Sequence, residues 1–148
     1  MEAIVFTGIQ ATGKSSFYTA CFFRSHVRIS LDLLRTRHRE KRLLELCLST
    51  GQPFVVDNTN PMRTDRERYV APARAHGFRV VGYYFESAIG PALARNQARP
   101  PEVRVPERGV LSAYGRLQVP KLDEGFDELH FVRLADDGLR VEEWRDDL

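Results

Sequence analysis

The sequence has only two cysteines and three lysines, and no apolar run approaches the ~20 residues that a transmembrane helix needs. Its first residues form an apolar stretch and a glycine-containing loop, a pattern unlike a secretory signal peptide. Cys21 and Cys47 lie in helix-like segments without the spacing of metal ligands. Free thiols are typical of a reducing compartment. We therefore expect a cytoplasmic protein with no membrane partner.

Charge is distributed unevenly along the 148 residues, although the net charge is only +2. Residues 24–42 carry seven Lys or Arg and two acids, whereas residues 121–148 carry four Lys or Arg and ten acids. Basic clusters can attract nucleic acid. However, arginine outnumbers lysine nineteen to three over the whole chain, so part of the cluster reflects composition. Charge alone leaves nucleic-acid binding open.

Strand-like and helix-like segments alternate, which is typical of an α/β layered fold. The apolar patterns predict strands at 3–7, 27–30, 53–57, 79–85 and 129–134, and helices at 14–24, 32–49, 63–76 and 88–98. Pro72 inside the third helix predicts a kink or two shorter pieces. The proline-rich stretch RPPEVRVP, residues 99–106, predicts a surface loop. Without repeats or linkers, residues 1–148 are expected to form a single domain.

Residues 4–16, IVFTGIQATGKSS, fit the phosphate-binding pattern G-x-x-x-x-G-K-[ST]. Two glycines let the backbone N–H groups curl around an anion, the lysine reaches the outer phosphates, and the first serine hydroxyl provides a Mg²⁺ position. An ordinary glycine turn is the alternative, but this loop lies between a predicted strand and a predicted helix, as the mechanism requires. The predicted ATP-binding residues of the loop are Gly8, Gln10, Ala11, Thr12, Gly13, Lys14, Ser15 and Ser16.

A second informative stretch is ISLDLLR, residues 29–35, which follows the second predicted strand. Asp32 and Arg35 are three apart, so they share a face if a helix begins there. A carboxylate at this position can accept a proton from an attacking hydroxyl, and the arginine can hold an anionic acceptor. The alternative is that Asp32 caps the helix and Arg35 is a solvated charge.

Two further stretches carry polar groups near the expected site. In FVVDNTNP, residues 54–61, Asp57 ends a buried strand, where a carboxylate supports Mg²⁺ or its waters, although Asp and Asn also favour plain turns. In ARNQAR, residues 94–99, Arg95 and Arg99 are four apart on a predicted helix. Together with the following loop they indicate a lid, at about residues 90–108, whose arginines offset phosphate charge. A charged, solvent-facing helix end is the alternative.

Together these stretches resemble the polynucleotide 5′-hydroxyl kinase family, the kinase module of nucleic-acid end-healing enzymes. The resemblance extends over most of the chain. Its most specific parts are DNTNP followed by RERYVAPARAHG, and AYGRLQVPKLDEGFDELHFV near the end. It implies a three-layer P-loop NTPase fold, with a mostly parallel sheet flanked by helices and a small helical lid.

The resemblance also implies roles for individual residues. Lys14, Asp32 and Arg99 would be catalytic, with Asp32 as general base for the 5′-hydroxyl of DNA or RNA. Arg35 would hold the acceptor phosphate. ATP would be bound by the loop and by Arg95, Arg99 and Arg116, the last in the segment bordering the adenine. Asp57 and Asn58 would lie on the acceptor side. Mg²⁺ would bind Ser15, with Asp32 or Asp57 contributing through water.

Many members of that family carry a second, end-processing domain. This sequence has no DxDxT phosphatase motif and little room for another domain, so we expect a stand-alone kinase, or one that acts with a separate phosphatase or ligase. One alternative function is a small-molecule kinase for a sugar, nucleoside or antibiotic, which would have no need of Arg35. Another is a nucleotide-dependent switch, which would have no use for a base at Asp32.

Overall fold

The computed structural model describes all residues from Met1 to Leu148. Six strands form one sheet, in the order β2-β3-β1-β4-β5-β6. Their bounds are β1 Glu2–Thr7, β2 Val27–Ile29, β3 Phe54–Val56, β4 Arg79–Phe85, β5 Glu128–Ala135 and β6 Gly138–Glu142. The first five strands are parallel to their neighbours, and β6 pairs antiparallel with β5.

Six α-helices connect or flank the strands, and a 3-10 helix covers Leu122–Glu124. Their bounds are α1 Lys14–Cys21, α2 Leu31–Leu34, α3 Arg37–Thr50, α4 Arg63–Ala75, α5 Ile89–Gln97 and α6 Glu107–Arg116. None of these helices combines the length and apolar character needed to cross a bilayer.

The sheet is buried on both faces because its central strands are apolar at successive positions. Along β1, Ala3 and Val5 pack with α3 and α4, whereas Ile4 and Phe6 pack with α1. This alternation follows from the two-residue period of a strand. The helices thus form layers on the two sides of a mostly parallel sheet, which confirms the predicted α/β class. Loops at the carboxyl ends of the parallel strands meet at one edge, where ligands bind in such sheets.

Two of the predicted helices differ in the structure. The single helix expected at 32–49 is two helices, because the chain breaks at Arg35, which has φ 73°, and restarts at Thr36. The Thr36 hydroxyl accepts a hydrogen bond from Arg39 N–H and so caps α3. By contrast, α4 is one continuous helix with Pro72 in its last turn, so the expected division into two pieces is wrong.

Two elements were not predicted from the sequence. Helix α6 follows the proline-rich loop, and it packs its apolar residues Val110 and Ala113 with Ala92 of α5. Strand β6 adds to the edge of the sheet after a tight turn, where Ala135 pairs with Gly138. Strand β6 is short and none of its residues is fully buried, so its apolar pattern is weak.

Candidate active site

The phosphate loop has the tight curvature that its sequence predicts. Gly13 has φ 97° and Ala11 has φ 62°, both in the left-handed region. A Cβ at Gly8 would lie 2.8 Å from the Cβ of Phe85, so the loop approaches β4 too closely for a side chain there. Gly8 N–H donates to the carbonyl of Thr59 (3.0 Å), which ties the loop to the segment after β3.

Lys14 lies at the centre of this loop. Its side chain is almost fully buried, and its Nζ donates to the carbonyls of Gly8 (2.9 Å) and Ile9 (2.7 Å). Burial lowers the pKa of Lys14 to about 8; the charges of Asp57 and Asp32 raise it, and that of Arg99 lowers it. Asp32 and Arg99, the other two residues predicted to be catalytic, therefore each lie within electrostatic reach of Lys14.

The other predicted loop residues occupy different environments. Thr12 Oγ1 is buried and donates to the carbonyl of Ile9 (2.8 Å), so it stabilises the loop rather than facing outward. The Oε1 atom of Gln10 is buried without a hydrogen-bond partner. Ser15 and Ser16 are exposed at the start of α1, where helix N–H groups favour anions.

Ser15 and Asp57 come together across the sheet edge. Ser15 Oγ donates to Asp57 Oδ2 at 3.0 Å, and the Asp57 side chain is only 2% exposed. A hydroxyl and a carboxylate are the hard oxygen ligands that Mg²⁺ prefers, and Mg²⁺ usually completes its shell with waters and substrate phosphates. No group of three or more His, Cys, Asp or Glu side chains forms a separate metal site. The two residues fit a Mg²⁺ ion, and of the two predicted helpers Asp57 is the one that contacts Ser15.

Arg28 completes this cluster, although no sequence motif indicates it. Its Nε donates to Asp57 Oδ2 (2.9 Å) and its Nη2 donates to Ser15 Oγ (3.1 Å). The residue lies in the short strand β2, where a charged side chain next to apolar ones only indicates an exposed face. No motif joins residues 28 and 57, because their contact depends on the pairing of β2 with β3.

Asp32 is exposed in the first turn of α2, at the carboxyl end of β2. The expectation that Asp32 and Arg35 share a helix face is wrong, because α2 ends at Leu34. The positive φ of Arg35 turns the chain out of the helix, and the residue is exposed. Of the two, Asp32 lies within electrostatic reach of Lys14 in the phosphate loop.

Protein groups take up the side chain of Asn58, which is predicted to lie on the acceptor side. Its Oδ1 accepts from Leu31 N–H (2.9 Å), and its Nδ2 donates to Glu40 Oε2 (2.9 Å) and to the Tyr69 hydroxyl (3.2 Å). The Tyr69 hydroxyl donates to Glu40 Oε1, at 2.9 Å, as does Arg37 Nη1, at 2.8 Å. This buried network holds the start of α2, and therefore the backbone next to Asp32.

The two arginines of the expected lid, Arg95 and Arg99, both lie near the phosphate loop. Arg95 Nε donates to the carbonyl of Ala11 at 2.5 Å. Arg99 lies beyond the end of α5, so the two arginines do not share a helix, contrary to prediction. Nevertheless, the charge of Arg99 lowers the pKa of both Lys14 and Arg95, which places it near the loop. Arg116 is exposed at the end of α6, and its Nε donates only within that helix, to the carbonyl of Ser112 (3.3 Å).

The stretches that resemble the kinase family most specifically are tied to each other. Arg66, which is fully buried, donates to both carboxylate oxygens of Glu124 at 2.8 Å and to the carbonyl of Asn60 at 3.0 Å. Arg63 N–H also donates to Gln118 Oε1 (2.8 Å). These contacts join α4 to the segment after α6. No sequence pattern indicates the contact between Arg66 and Glu124, because a separation of 58 residues carries no periodic signal.

The chain is similar to one curated protein over most of its length. It is 25% identical over 142 residues to the bifunctional polynucleotide phosphatase/kinase of Schizosaccharomyces pombe, covering 91% of this chain and 35% of that protein. The chain therefore spans about a third of the length of this relative.

Solved structures share the fold at low sequence identity. The AvrRxo1-ORF1:AvrRxo1-ORF2 complex with ATP superposes with a TM-score of 0.71 at 16% identity, covering 95% of this chain and 57% of that chain. A gluconokinase from Sinorhizobium meliloti gives 0.59 at 16% identity, covering 88% and 82%. These similarities confirm the predicted P-loop NTPase fold.

A family described as the AAA domain matches residues 35–120, which is more than half of the sequence. The match covers Asp57, Asn58 with its partners Glu40 and Tyr69, and helices α5 and α6. By this match, the chain belongs to the AAA domain family.

Proposed function

We propose that this protein transfers the γ-phosphate of ATP to the 5′-hydroxyl end of DNA or RNA. The observation that carries the proposal is the position of Asp32, exposed beside the phosphate loop and followed at once by an exposed basic segment. The similarity to a polynucleotide phosphatase/kinase over 91% of the chain supports the same acceptor.

In the proposed reaction, the 5′-hydroxyl oxygen attacks the γ-phosphorus of ATP. The bond from this phosphorus to the β,γ-bridging oxygen breaks, and ADP leaves. Asp32 accepts the proton of the hydroxyl, a role that its exposed carboxylate can fill because no protein group blocks access to it. The transfer needs little covalent help from the protein, so most of the rate enhancement comes from positioning and charge.

The remaining charges act on the phosphates. Lys14 would exchange its bonds to the loop carbonyls for bonds to the outer phosphates, and Arg99 would offset the charge that develops during transfer. Ser15 and Asp57 would hold Mg²⁺, which supplies charge neutralisation of the phosphate oxygens when bound. The carbonyl bond from Arg95 would hold α5 against the loop.

The acceptor side is basic. Arg35, Arg39 and Lys41 are exposed within ten residues of Asp32. Of these, Arg35 follows α2 directly, and it would hold the phosphate on the 3′ side of the terminal nucleoside. A nucleic acid presents such a phosphate, whereas a neutral sugar does not. The product would be a 5′-phosphorylated end, which is the form a separate ligase uses.

An acceptor panel tests this proposal. The protein is incubated with ATP labelled at the γ-phosphate and with 5′-hydroxyl DNA and RNA oligonucleotides, matched 5′-phosphorylated oligonucleotides, gluconate and a set of nucleosides. We expect label on the 5′-hydroxyl oligonucleotides and none on the 5′-phosphorylated controls. Label on gluconate or another small alcohol instead would establish a small-molecule kinase, a function that the gluconokinase fold also supports.

A further inference from the structure

Arg28 has no role in the reaction proposed above, yet it contacts both side chains that fit a magnesium ion. Its guanidinium donates to Asp57 Oδ2 at 2.9 Å and to Ser15 Oγ at 3.1 Å. These same two oxygen atoms are joined to each other at 3.0 Å. One cationic group thus bridges the hydroxyl and the carboxylate that a divalent cation would use.

The low solvent exposure of both side chains strengthens the contact between Arg28 and Asp57. The Asp57 side chain is 2% exposed and the Arg28 side chain 27% exposed, so water screens the ion pair only in part. The guanidinium carbon also lies 6.0 Å from the centre of the Tyr18 ring, which favours a cation at this position. A buried carboxylate without a partner is costly. Arg28 therefore stabilises Asp57 when no metal ion is bound.

A metal ion and this guanidinium cannot use the same oxygen lone pairs. A cation that binds Ser15 and Asp57 directly takes over the Asp57 and Ser15 lone pairs that Arg28 now uses, and its positive charge repels the arginine. We propose that Arg28 is a built-in competitor of the divalent cation, released from Asp57 and Ser15 when the metal–nucleotide complex binds. This rests on the metal-binding part of the proposed function and not on the identity of the acceptor.

Competition between Arg28 and the metal ion should change the Mg²⁺ concentration needed for nucleotide binding. If Arg28 is bonded to Asp57 and Ser15 in most molecules, only the remaining fraction can bind the metal directly. The apparent affinity for the metal is then the intrinsic affinity multiplied by that fraction. Hydrogen bonds to charged groups are strong enough to hold that fraction at about one tenth or less. Removing the guanidinium should therefore lower the Mg²⁺ concentration needed for nucleotide binding by about tenfold. A structural partner that stays bonded to Asp57 predicts the opposite, since its removal would disorder the ligands.

The test measures ADP binding by calorimetry at a series of Mg²⁺ concentrations, with no acceptor present. Wild type is compared with R28Q and with R24Q. Arg24 is exposed in the same segment and carries the same charge, so R24Q controls for the general loss of a positive charge. We expect the half-saturating Mg²⁺ concentration to fall about tenfold in R28Q and to stay unchanged in R24Q. An unchanged or raised Mg²⁺ requirement in folded R28Q would overturn the proposal.

Thermal unfolding gives a second, independent readout. R28Q should unfold at a lower temperature than wild type in EDTA, because Asp57 loses its partner. Saturating Mg²⁺ and ADP should remove most of that difference, because the metal then replaces the arginine in wild type too. A difference of the same size in both conditions would show that Arg28 stays bonded, and would contradict the proposal.

If R28Q does not fold, both measurements are made on R28K instead. We expect a smaller shift in the same direction, because lysine lacks the forked contact of arginine. Since no oligonucleotide is present, these results are independent of the acceptor panel.

Discussion

Lys14 is a buried lysine whose pKa is lowered by that burial. Burial sets its pKa at about 8, well below the usual value for lysine, and two loop carbonyls accept its hydrogen bonds. Bound triphosphate would add negative charge and so favour the protonated form. Nucleotide binding and protonation of Lys14 are therefore coupled.

This coupling predicts a pH dependence. As the pH rises above about 8, free Lys14 loses its proton, and each bound nucleotide must then restore it. The affinity for ATP should fall by up to about tenfold per pH unit between pH 8 and 10. Equilibrium binding of a non-hydrolysable ATP analogue measures this. K14R, which keeps its charge, should show a flat profile; a flat profile in wild type would contradict the assignment of Lys14 to the phosphates.

Asp32 is the residue on which the proposed chemistry depends most. D32N keeps the size of the side chain but cannot accept a proton, so phosphoryl transfer should fall by about 10²–10⁴-fold. ATP affinity should change little, since Asp32 is exposed and not part of the loop. Rates and nucleotide binding are measured separately. A loss of ATP affinity with an unchanged rate at saturation would instead indicate a role in nucleotide binding.

Local and distant contacts differ in how well the sequence predicts them. The phosphate loop could be predicted because its glycines, lysine and serine are contiguous and the motif states their geometry. Arg28 could not be predicted, because its contacts with Asp57 and Ser15 follow from strand order. The bonds of Asn58 to Glu40 and Tyr69 could not be predicted either, since these partners come from other elements, and its contact with an acceptor stays a prediction.

At the scale of elements, the short helix α2 is held in place by its neighbours. The carboxylate of Glu40 in α3 accepts bonds from Asn58 and Tyr69, and Asn58 in turn accepts from the first N–H of α2. A four-residue helix has little stability of its own. The network therefore determines where α2 presents Asp32.

Glu40 is predicted to act on transfer through α2. E40Q should lower kcat by about tenfold, since it weakens a charge-assisted bond to Asn58, and should leave ATP affinity within about twofold. E45Q is the matched control, because Glu45 lies on the same helix with half of its side chain exposed and a weak 3.6 Å ion pair. A parallel loss of ATP affinity in E40Q would mean that the network serves the fold as a whole.

A further prediction concerns Arg99, in the predicted lid at about residues 90–108. Arg99 lies just past α5 and within electrostatic reach of Lys14. R99A should lower kcat by about 10³-fold and raise the acceptor KM much less, because its charge acts mainly in the transition state. Arg108, exposed on α6, provides the control variant R108A. Equal kcat values for R99A and wild type would restore the view of Arg99 as a solvated charge.

Sequence patterns predict the strands of the sheet better than they predict the boundaries of the helices. The single helix predicted over residues 32–49 has a break in the structure, because a positive φ at an arginine has no composition signal. Helix α6 follows a proline-rich stretch, and its burial depends on Ala92 and Ile9 from elsewhere. The strands of the sheet interior were predicted to within one or two residues, since burial on both faces requires an apolar run.

At the scale of the molecule, the phosphate loop follows the central strand β1 and packs against helices α5 and α6. Ile9 of the loop packs with Ala92 of α5 and with Val110 and Ala113 of α6, so both helices lie directly on the loop. On the opposite side, the carboxyl ends of β2 and β3 present Asp32 and Asp57. The fold thus collects Lys14, Asp32 and Asp57 at one edge of the sheet, where they would act in the proposed transfer, and exposed arginines follow α2 in the chain.

The measurement that tests this account most directly is kcat/KM for a nucleoside 3′-phosphate and for the same nucleoside without phosphate, with wild type and with Arg35→Leu. If Arg35 holds the acceptor phosphate, wild type prefers the phosphorylated acceptor. Loss of this charge-assisted contact, worth ~1.5–3 kcal/mol, should then lower kcat/KM for that acceptor by about ten- to two-hundred-fold. The unphosphorylated nucleoside should react slowly and at the same rate in both proteins. Equal wild-type activity on both acceptors, or equal losses in the variant, would contradict a nucleic-acid end as the substrate.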